Sequence, residues 1–111
     1  MGTSKRYAAA VDRQMDRRIL SRTIAEAGPL QTLTAEELRL DTQPVTIDPR
    51  PKPGRAWLRF GSTPVLVDVE VCRWTVDACA VRFRVDDKEY RTWVWASAVL
   101  APDSPPLPGA R

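Results

Sequence analysis

The chain has no histidine, only five glycines and only two cysteines among its 111 residues. Without histidine, neither a histidine-based catalytic triad nor an ordinary zinc site can be assembled. The glycines form neither a GxxxxGK nor a GxGxxG motif, so no phosphate-binding loop is predicted. The carboxylate pairs Glu36–Glu37 and Asp86–Asp87 fall on a surface helix and in a turn, where acidic residues are common for structural reasons. We therefore predict a protein that is not an enzyme, with no catalytic residues, metal ligands or cofactors.

Long apolar runs are also missing, and none approaches the about 20 residues that a membrane-spanning helix requires. The opening MGTSKRY leads into a charged helix and lacks the apolar core and cleavage site of a secretory signal. We expect a cytoplasmic protein that does not enter the membrane. A chain of this length can bury roughly two thirds of its unfolded surface, which is enough for one modest core.

The net charge of +3 is carried by the N-terminal segment. Residues 4 to 27 hold six basic and three acidic side chains, whereas the rest of the chain holds eleven of each sign. A solvated helix face explains this excess, and so does a contact with phosphate or with an acidic partner. The candidate phosphate-binding residues are Arg13, Arg17, Arg18 and Arg22.

Residues 1–43 are predicted to form a helical N-terminal segment. One apolar stripe runs along the first helix and consists of Val11, Met15, Ile19, Leu20 and Ile24. The helix should end at Gly28, with Pro29 beyond it. A second, short helix should begin at Thr34, which can form a capping box with Glu37. The apolar stripe can pack on the rest of the chain or on a second copy, so a homodimer formed through this helix is an alternative.

Proline is concentrated in two stretches, residues 44–54 and residues 102–111, which hold four prolines each. We predict that the first is an extended, polyproline-like connector, because proline cannot serve a helix or an inner strand. The second is predicted to be a disordered tail. Its PPLP has the form that aromatic grooves bind in proline-recognition modules, but a short proline-rich tail is usually just a solvated chain end.

Residues 55–101 carry the alternation of apolar and polar residues that is typical of antiparallel strands. Four apolar positions of VLVDVEV and four of CAVRFRV should face inward; they are Val65, Val67, Val69, Val71, Cys79, Val81, Phe83 and Val85. This parity puts Cys72 outward and Cys79 inward, so no disulfide is expected. The segment WASAV is short enough for a single 3₁₀ turn before a last strand.

Five short, closely connected strands tend to curl into a small barrel, because closure removes exposed edges. Over residues 55–101 the pattern resembles the Src-homology-3-like small barrels, including the Tudor-like ones, whose last strands are separated by one 3₁₀ turn. The segments SKRYAAAVDRQMDRRI and RTWVWASAV are also similar to small uncharacterised proteins from actinobacterial phages and integrated elements. The predicted fold is thus α+β, with two helices followed by a five-stranded antiparallel small β-barrel.

The strand EYRTWVWAS is apolar on both faces, since Trp93 and Trp95 point one way while Tyr90, Thr92 and Val94 point the other. The side chains on the outward face of this strand are either covered by one of the two helices or form an exposed aromatic surface. Tryptophan and arginine together are typical of binding hot spots, and aromatic rings also stack on single-stranded nucleic acid. The candidate partner-binding residues are Trp57, Arg59, Trp74, Arg82, Arg84, Arg91, Trp93 and Trp95.

Two functions are consistent with these features. The first is an interaction module, or adaptor, that docks on a protein partner through the barrel aromatics, the basic helix, or both. The second is a nucleic-acid-binding protein in which the helix arginines contact phosphates and the barrel tryptophans stack on bases. The barrel half has no excess of positive charge, which favours the first function.

Overall fold

The computed structural model describes residue 18 and residues 20 to 102. Five strands make one antiparallel sheet: β1 (Thr46–Phe60), β2 (Thr63–Trp74), β3 (Ala78–Val85), β4 (Lys88–Trp95) and β5 (Val99–Leu100), in the order β4-β3-β2-β1-β5. Among the described residues, helix α1 covers residue 18 and residues 20 to 27, and α2 is the single turn Ala35–Leu38. A 3₁₀ turn, Ala96–Ala98, separates β4 from β5 as predicted. The protein is therefore α+β with a five-stranded antiparallel sheet.

The sheet does not close into the barrel that the sequence predicts. Strands β4 and β5 are its two edges, and no pairing joins them within the described residues. The reason is the length of β5, which has two residues and pairs only with Arg55 and Ala56 of β1. Between the rest of β1 and the facing edge of β4, the sheet is open.

The proline-rich stretch predicted as a connector is largely strand, because β1 begins at Thr46 and pairs with the far end of β2. The turn after Phe60 has two residues, so Phe60 and Thr63 form a hydrogen-bonded pair and the even-numbered residues of β1 bond to β2. Pro53 has odd parity, and its nitrogen therefore points to the edge that lacks a partner. Proline is excluded from an inner strand, as expected, but it is compatible with this one-sided part of β1.

The core lies on the inward face of the sheet and follows the predicted alternation. The eight inward positions predicted on β2 and β3 all pack in the core cluster, together with Leu58 and Phe60 of β1. The Phe83 ring lies edge-on to Phe60, with 6.3 Å between centroids, and stacks on Tyr90 at 5.2 Å. A register shift next to Cys72 interrupts the pairing of β2 with β3. Both cysteines are free thiols.

Helix α1 packs on the core of its own chain. Leu20 is buried in the core cluster, and Ile24 and Ala27 pack against it. Val11, Met15 and Ile19 of the predicted stripe lie outside the described residues. The helix ends before Gly28, as predicted, and the φ angle of Gly28 is +120°, which side chains disfavour. The described part of the helix is therefore an intramolecular cover for the core.

The short helix α2 begins with the predicted capping box. The Glu37 amide donates to the Thr34 hydroxyl at 3.1 Å, and the Thr34 amide donates to the Glu37 carboxylate at 2.9 Å. Leu38 is buried, whereas Leu40 is exposed and does not anchor the helix. The Arg39 guanidinium ties the end of α2 to Asp77 at 2.8 Å, in the loop between β2 and β3.

The turn between β3 and β4 offers a test of local backbone energetics. Asp86 and Asp87 have φ angles of +51° and +66°, which defines a type I′ turn. We expect Asp87→Gly to raise the free energy of unfolding by about 0.5 kcal/mol, because glycine adopts this conformation without a steric penalty. Urea denaturation measures the change. Lys88→Gly, one position into β4, should lower stability instead, and a gain at both positions would contradict the turn assignment.

Candidate functional site

A segment without regular structure, residues 29 to 33, spans the open side of the sheet and holds β1 and β4 together. On the β1 side, the Gln31 amide donates to the Arg59 carbonyl at 2.8 Å, and the Gly61 amide donates to the Pro29 carbonyl at 2.7 Å. These bonds fix the first half of the segment alongside the end of β1.

On the β4 side, the same segment uses both backbone groups of Trp93. The Leu33 amide donates to the Trp93 carbonyl at 3.0 Å, and the Trp93 amide donates to the Thr32 hydroxyl at 3.1 Å. The Thr92 hydroxyl, in a buried residue, donates to the Gln31 carbonyl at 2.5 Å. This edge of β4 is thereby satisfied at Trp93 without a neighbouring strand.

The bridging segment brings together tryptophans that are distant in sequence. Trp57 projects outward from β1, on the opposite face from the buried Leu58. Trp93 and Trp95 project outward from β4, since Thr92 and Val94 are the buried residues there. Of the two apolar faces of β4, the one formed by Tyr90, Thr92 and Val94 therefore faces the core.

A groove of about 450 Å³ lies between these two strands, and we call it the tryptophan groove. Its walls are formed by Leu33, Trp57, Arg59, Pro64, Trp93 and Trp95. The buried Leu58 and Val94 also line it, so core residues at the open side of the sheet form the floor of the groove. Trp95 is 42% exposed, a large fraction for tryptophan, and no described residue of α1 or α2 lines the groove.

A second concavity of about 600 Å³, the charged cleft, lies beside the middle of β1. It is lined by Gly54 and Pro53 of β1, by Pro102 after β5, and by charged residues of β2, β3 and β4. The charged residues are Asp68, Glu70, Arg82, Arg84 and Glu89. Both charge signs alternate across the strands here, so the cleft has no strong field of one sign.

Ion pairs neutralise most of the arginines in and near the charged cleft. Arg82 lies 3.0 Å from Glu70, and Arg91 lies 2.8 Å from Glu89. The hydrogen bond from Arg91 lowers the pKa of Glu89, and the hydrogen bond to Glu70 raises the pKa of Arg82. Arg84 donates to the Asp87 carbonyl oxygen at 3.2 Å. Ion pairs this exposed add little stability, but they leave few cations free for an anionic ligand.

The eight predicted partner-binding residues are therefore distributed over three separate parts of the structure. Trp57, Arg59, Trp93 and Trp95 meet in the tryptophan groove. Arg82, Arg84 and Arg91 belong to the charged network and do not line that groove. Trp74 is half-buried at the end of β2, opposite Thr46 and Cys79.

Of the four candidate phosphate-binding residues, two are described. Arg18 and Arg22 are exposed, four positions apart, whereas Arg13 and Arg17 lie outside the described residues. Leu33 and Pro64 are groove residues that the sequence analysis missed. Neither belongs to a periodic pattern, and only the bridging bonds of residues 29 to 33 reveal the place of Leu33.

Comparison with known proteins does not assign this arrangement. No family model matches the chain, and no curated protein or solved structure is significantly similar to it. Across residues 18 and 20 to 102, no group of three or more cysteine, aspartate or glutamate residues could hold a metal ion. None of the helices in that part of the chain is both long and apolar enough to cross a membrane.

Proposed function

We propose that this protein is a non-enzymatic interaction module that binds an extended, proline-containing segment of a partner protein in the tryptophan groove, and that it acts in the cytoplasm. The observation that carries the proposal is the meeting of three of the four tryptophans of the chain in one solvent-open groove with Arg59. Tryptophan and arginine dominate the energetics of protein interfaces. A groove with this lining is suited to a peptide that presents apolar side chains on a rigid backbone.

The backbone bonding around the groove favours proline in the ligand. A peptide that bound as an added strand would need free amide and carbonyl groups on β1 or β4. At the groove, the Arg59 carbonyl and both backbone groups of Trp93 already bond to residues 31 to 33. A polyproline-type segment has no need of such a ladder, because it is recognised through its rings and apolar side chains.

Replacing Trp95 by alanine should separate binding from folding. Trp95 is 42% exposed, so Trp95→Ala should cost about 2 kcal/mol of stability, less than the about 3–5 kcal/mol expected for a fully buried ring. As a hot-spot residue it should cost about 2 kcal/mol or more in binding, equivalent to roughly 30-fold in affinity. The measurement is a tryptophan-fluorescence titration with a proline-rich decapeptide, accompanied by urea denaturation.

Val76→Ala is the matched control for that variant, because Val76 is 77% exposed and does not line the groove. It should leave both affinity and stability unchanged. Equal affinity of the wild type and Trp95→Ala for the peptide would show that the groove is not the binding site.

A nucleic-acid-binding function has one observation in its favour, the exposure of Arg18 and Arg22 on the same side of α1. Two of the candidate arginines on the sheet, Arg82 and Arg91, are engaged by glutamates, which makes them less available to phosphates. A titration with single-stranded and duplex DNA at low salt tests nucleic-acid binding. We expect no saturable change, whereas saturation that weakens steeply with added salt would replace the peptide proposal with this one.

A further inference from the structure

We propose that the C-terminal segment of this chain, with Pro105, Pro106 and Pro108 at its centre, is itself a ligand of the tryptophan groove and docks in the groove of a second copy. The inference rests on the proposed function, because it names the segment that the groove binds. It joins two features of the same molecule: an aromatic groove with no occupant from the described residues, and a PPLP sequence three residues beyond the last described one.

Charge and composition match the segment to the groove. The sequence DSPPLP places Asp103 just before the prolines. The Arg59 side chain is exposed at the groove wall and has no carboxylate partner among the described residues. A segment with its prolines against Trp57 and Trp95 therefore has an acidic residue available for Arg59.

The direction of the chain favours docking on a second copy over docking on the same copy. After the 3₁₀ turn at the groove, β5 runs antiparallel to β1, with Val99 opposite Ala56 and Leu100 opposite Arg55. The chain therefore moves away from Trp57, and Pro102 reaches the charged cleft beside Gly54. A return to its own groove requires a reversal immediately after Pro102.

The segment available for that reversal is short. Only Asp103 and Ser104 separate Pro102 from Pro105. A residue that precedes proline is restricted to extended conformations, which limits Ser104, and proline itself has a fixed φ angle. At the roughly 3.1 Å per residue of a polyproline helix, the six residues from 103 to 108 have a reach of roughly 19 Å, which is long enough to enter the groove of a second copy.

A complementation experiment with full-length chains tests the inference. One variant, Trp95→Ala, keeps the segment and loses the groove; the other, Pro106→Ala with Pro108→Ala, keeps the groove and loses the ligand. Sedimentation velocity over a series of concentrations should show association of the wild type and at least about 30-fold weaker association of each variant alone. An equimolar mixture of the two variants should associate again, because one intact groove meets one intact segment.

Two other results would overturn the inference. A wild type that stays monomeric at every concentration, with unchanged tryptophan fluorescence in the double-proline variant, would show that the segment does not dock. A monomeric wild type whose fluorescence differs from that of the double-proline variant would show docking within one chain. Val76→Ala again serves as the control that should associate like the wild type.

Peptide binding to the double-proline variant separates this inference from the proposed function. The peptide APDSPPLPGAR and an unrelated proline-rich decapeptide are titrated in parallel. Saturation by the first supports the inference. Saturation by the decapeptide alone overturns it and leaves the proposed function intact, and a flat response to both overturns the two together.

Discussion

Gly61→Ala is expected to destabilise the protein severely, although the residue lies in a turn at the surface of the sheet. A β-carbon at this position would lie 2.2 Å from the Ala27 carbonyl oxygen, a backbone atom that cannot move aside alone. Gly61 also has a φ angle of +60°. The left-handed conformation costs alanine about 1–2 kcal/mol and overpacking costs about 1–3 kcal/mol, so we expect a total loss of roughly 2–5 kcal/mol.

The loss should be visible in α1 before it is visible in the sheet. The end of the helix must move away from the turn, which withdraws Leu20 and Ile24 from the core. The Gly61 amide also bonds to the Pro29 carbonyl, so the same movement strains the segment that bridges β1 and β4. Urea denaturation gives the free energy, and hydrogen exchange of the α1 amides locates the change.

Two further variants separate the two causes at this position. Asparagine tolerates the left-handed conformation better than alanine but has the same β-carbon. Gly61→Asn should therefore be nearly as unstable as Gly61→Ala if the contact with Ala27 dominates. Ser62→Ala, at the exposed neighbouring position, should change stability by less than about 0.5 kcal/mol. Recovery of wild-type stability by asparagine would show that the φ angle alone explains the glycine.

Much of the sheet could be predicted because its signals are local. Alternation with a period of two placed the inward residues of β2 and β3 correctly, and the capping box at Thr34 and Glu37 was visible three residues apart. Each of these rules depends on residues that are close together in the sequence. The same alternation placed Trp93 and Thr92 on opposite faces of β4, but it did not determine which of the two faces the core.

The errors concern contacts between distant segments. The barrel prediction assumed that an open edge must be closed by another strand, whereas residues 29 to 33 satisfy that edge of β4 through the backbone and one threonine hydroxyl. Backbone bonds leave no compositional trace in the sequence. The connector prediction treated proline as incompatible with the sheet as a whole. Proline is excluded only at positions where the backbone amide must donate to a neighbouring strand.

Only part of the candidate site could be predicted from the sequence, for a similar reason. The candidate residues could be named from the sequence, but the grouping of Trp57 with Trp93 depends on the bridge between β1 and β4. The separation of the arginines depends on register, because Arg82 lies opposite Arg91 and opposite Glu70. Two like charges placed opposite each other require nearby carboxylates, and Glu70 and Glu89 provide them.

Phe83→Ala is expected to cause the other large loss of stability, this time from the centre of the core. Phe83 is 5% exposed and contacts two other rings, Phe60 edge-on and Tyr90 face-on. Truncating a buried phenylalanine to alanine costs about 3–5 kcal/mol, because apolar contacts are lost and a cavity remains. The two aromatic pairs place Phe83 toward the upper end of this range, since each contributes roughly 0.5–1.5 kcal/mol beyond burial.

The control is Phe83→Leu, which keeps most of the side-chain volume and should cost less than half as much as the alanine variant. Urea denaturation gives both free energies, and peptide titration of whichever variant remains folded gives the affinity of the groove. Phe83 does not line the tryptophan groove, so Phe83→Leu should bind the proline-rich peptide like the wild type while Trp95→Ala does not. A Phe83→Ala loss below about 1.5 kcal/mol would contradict a core centred on these three rings.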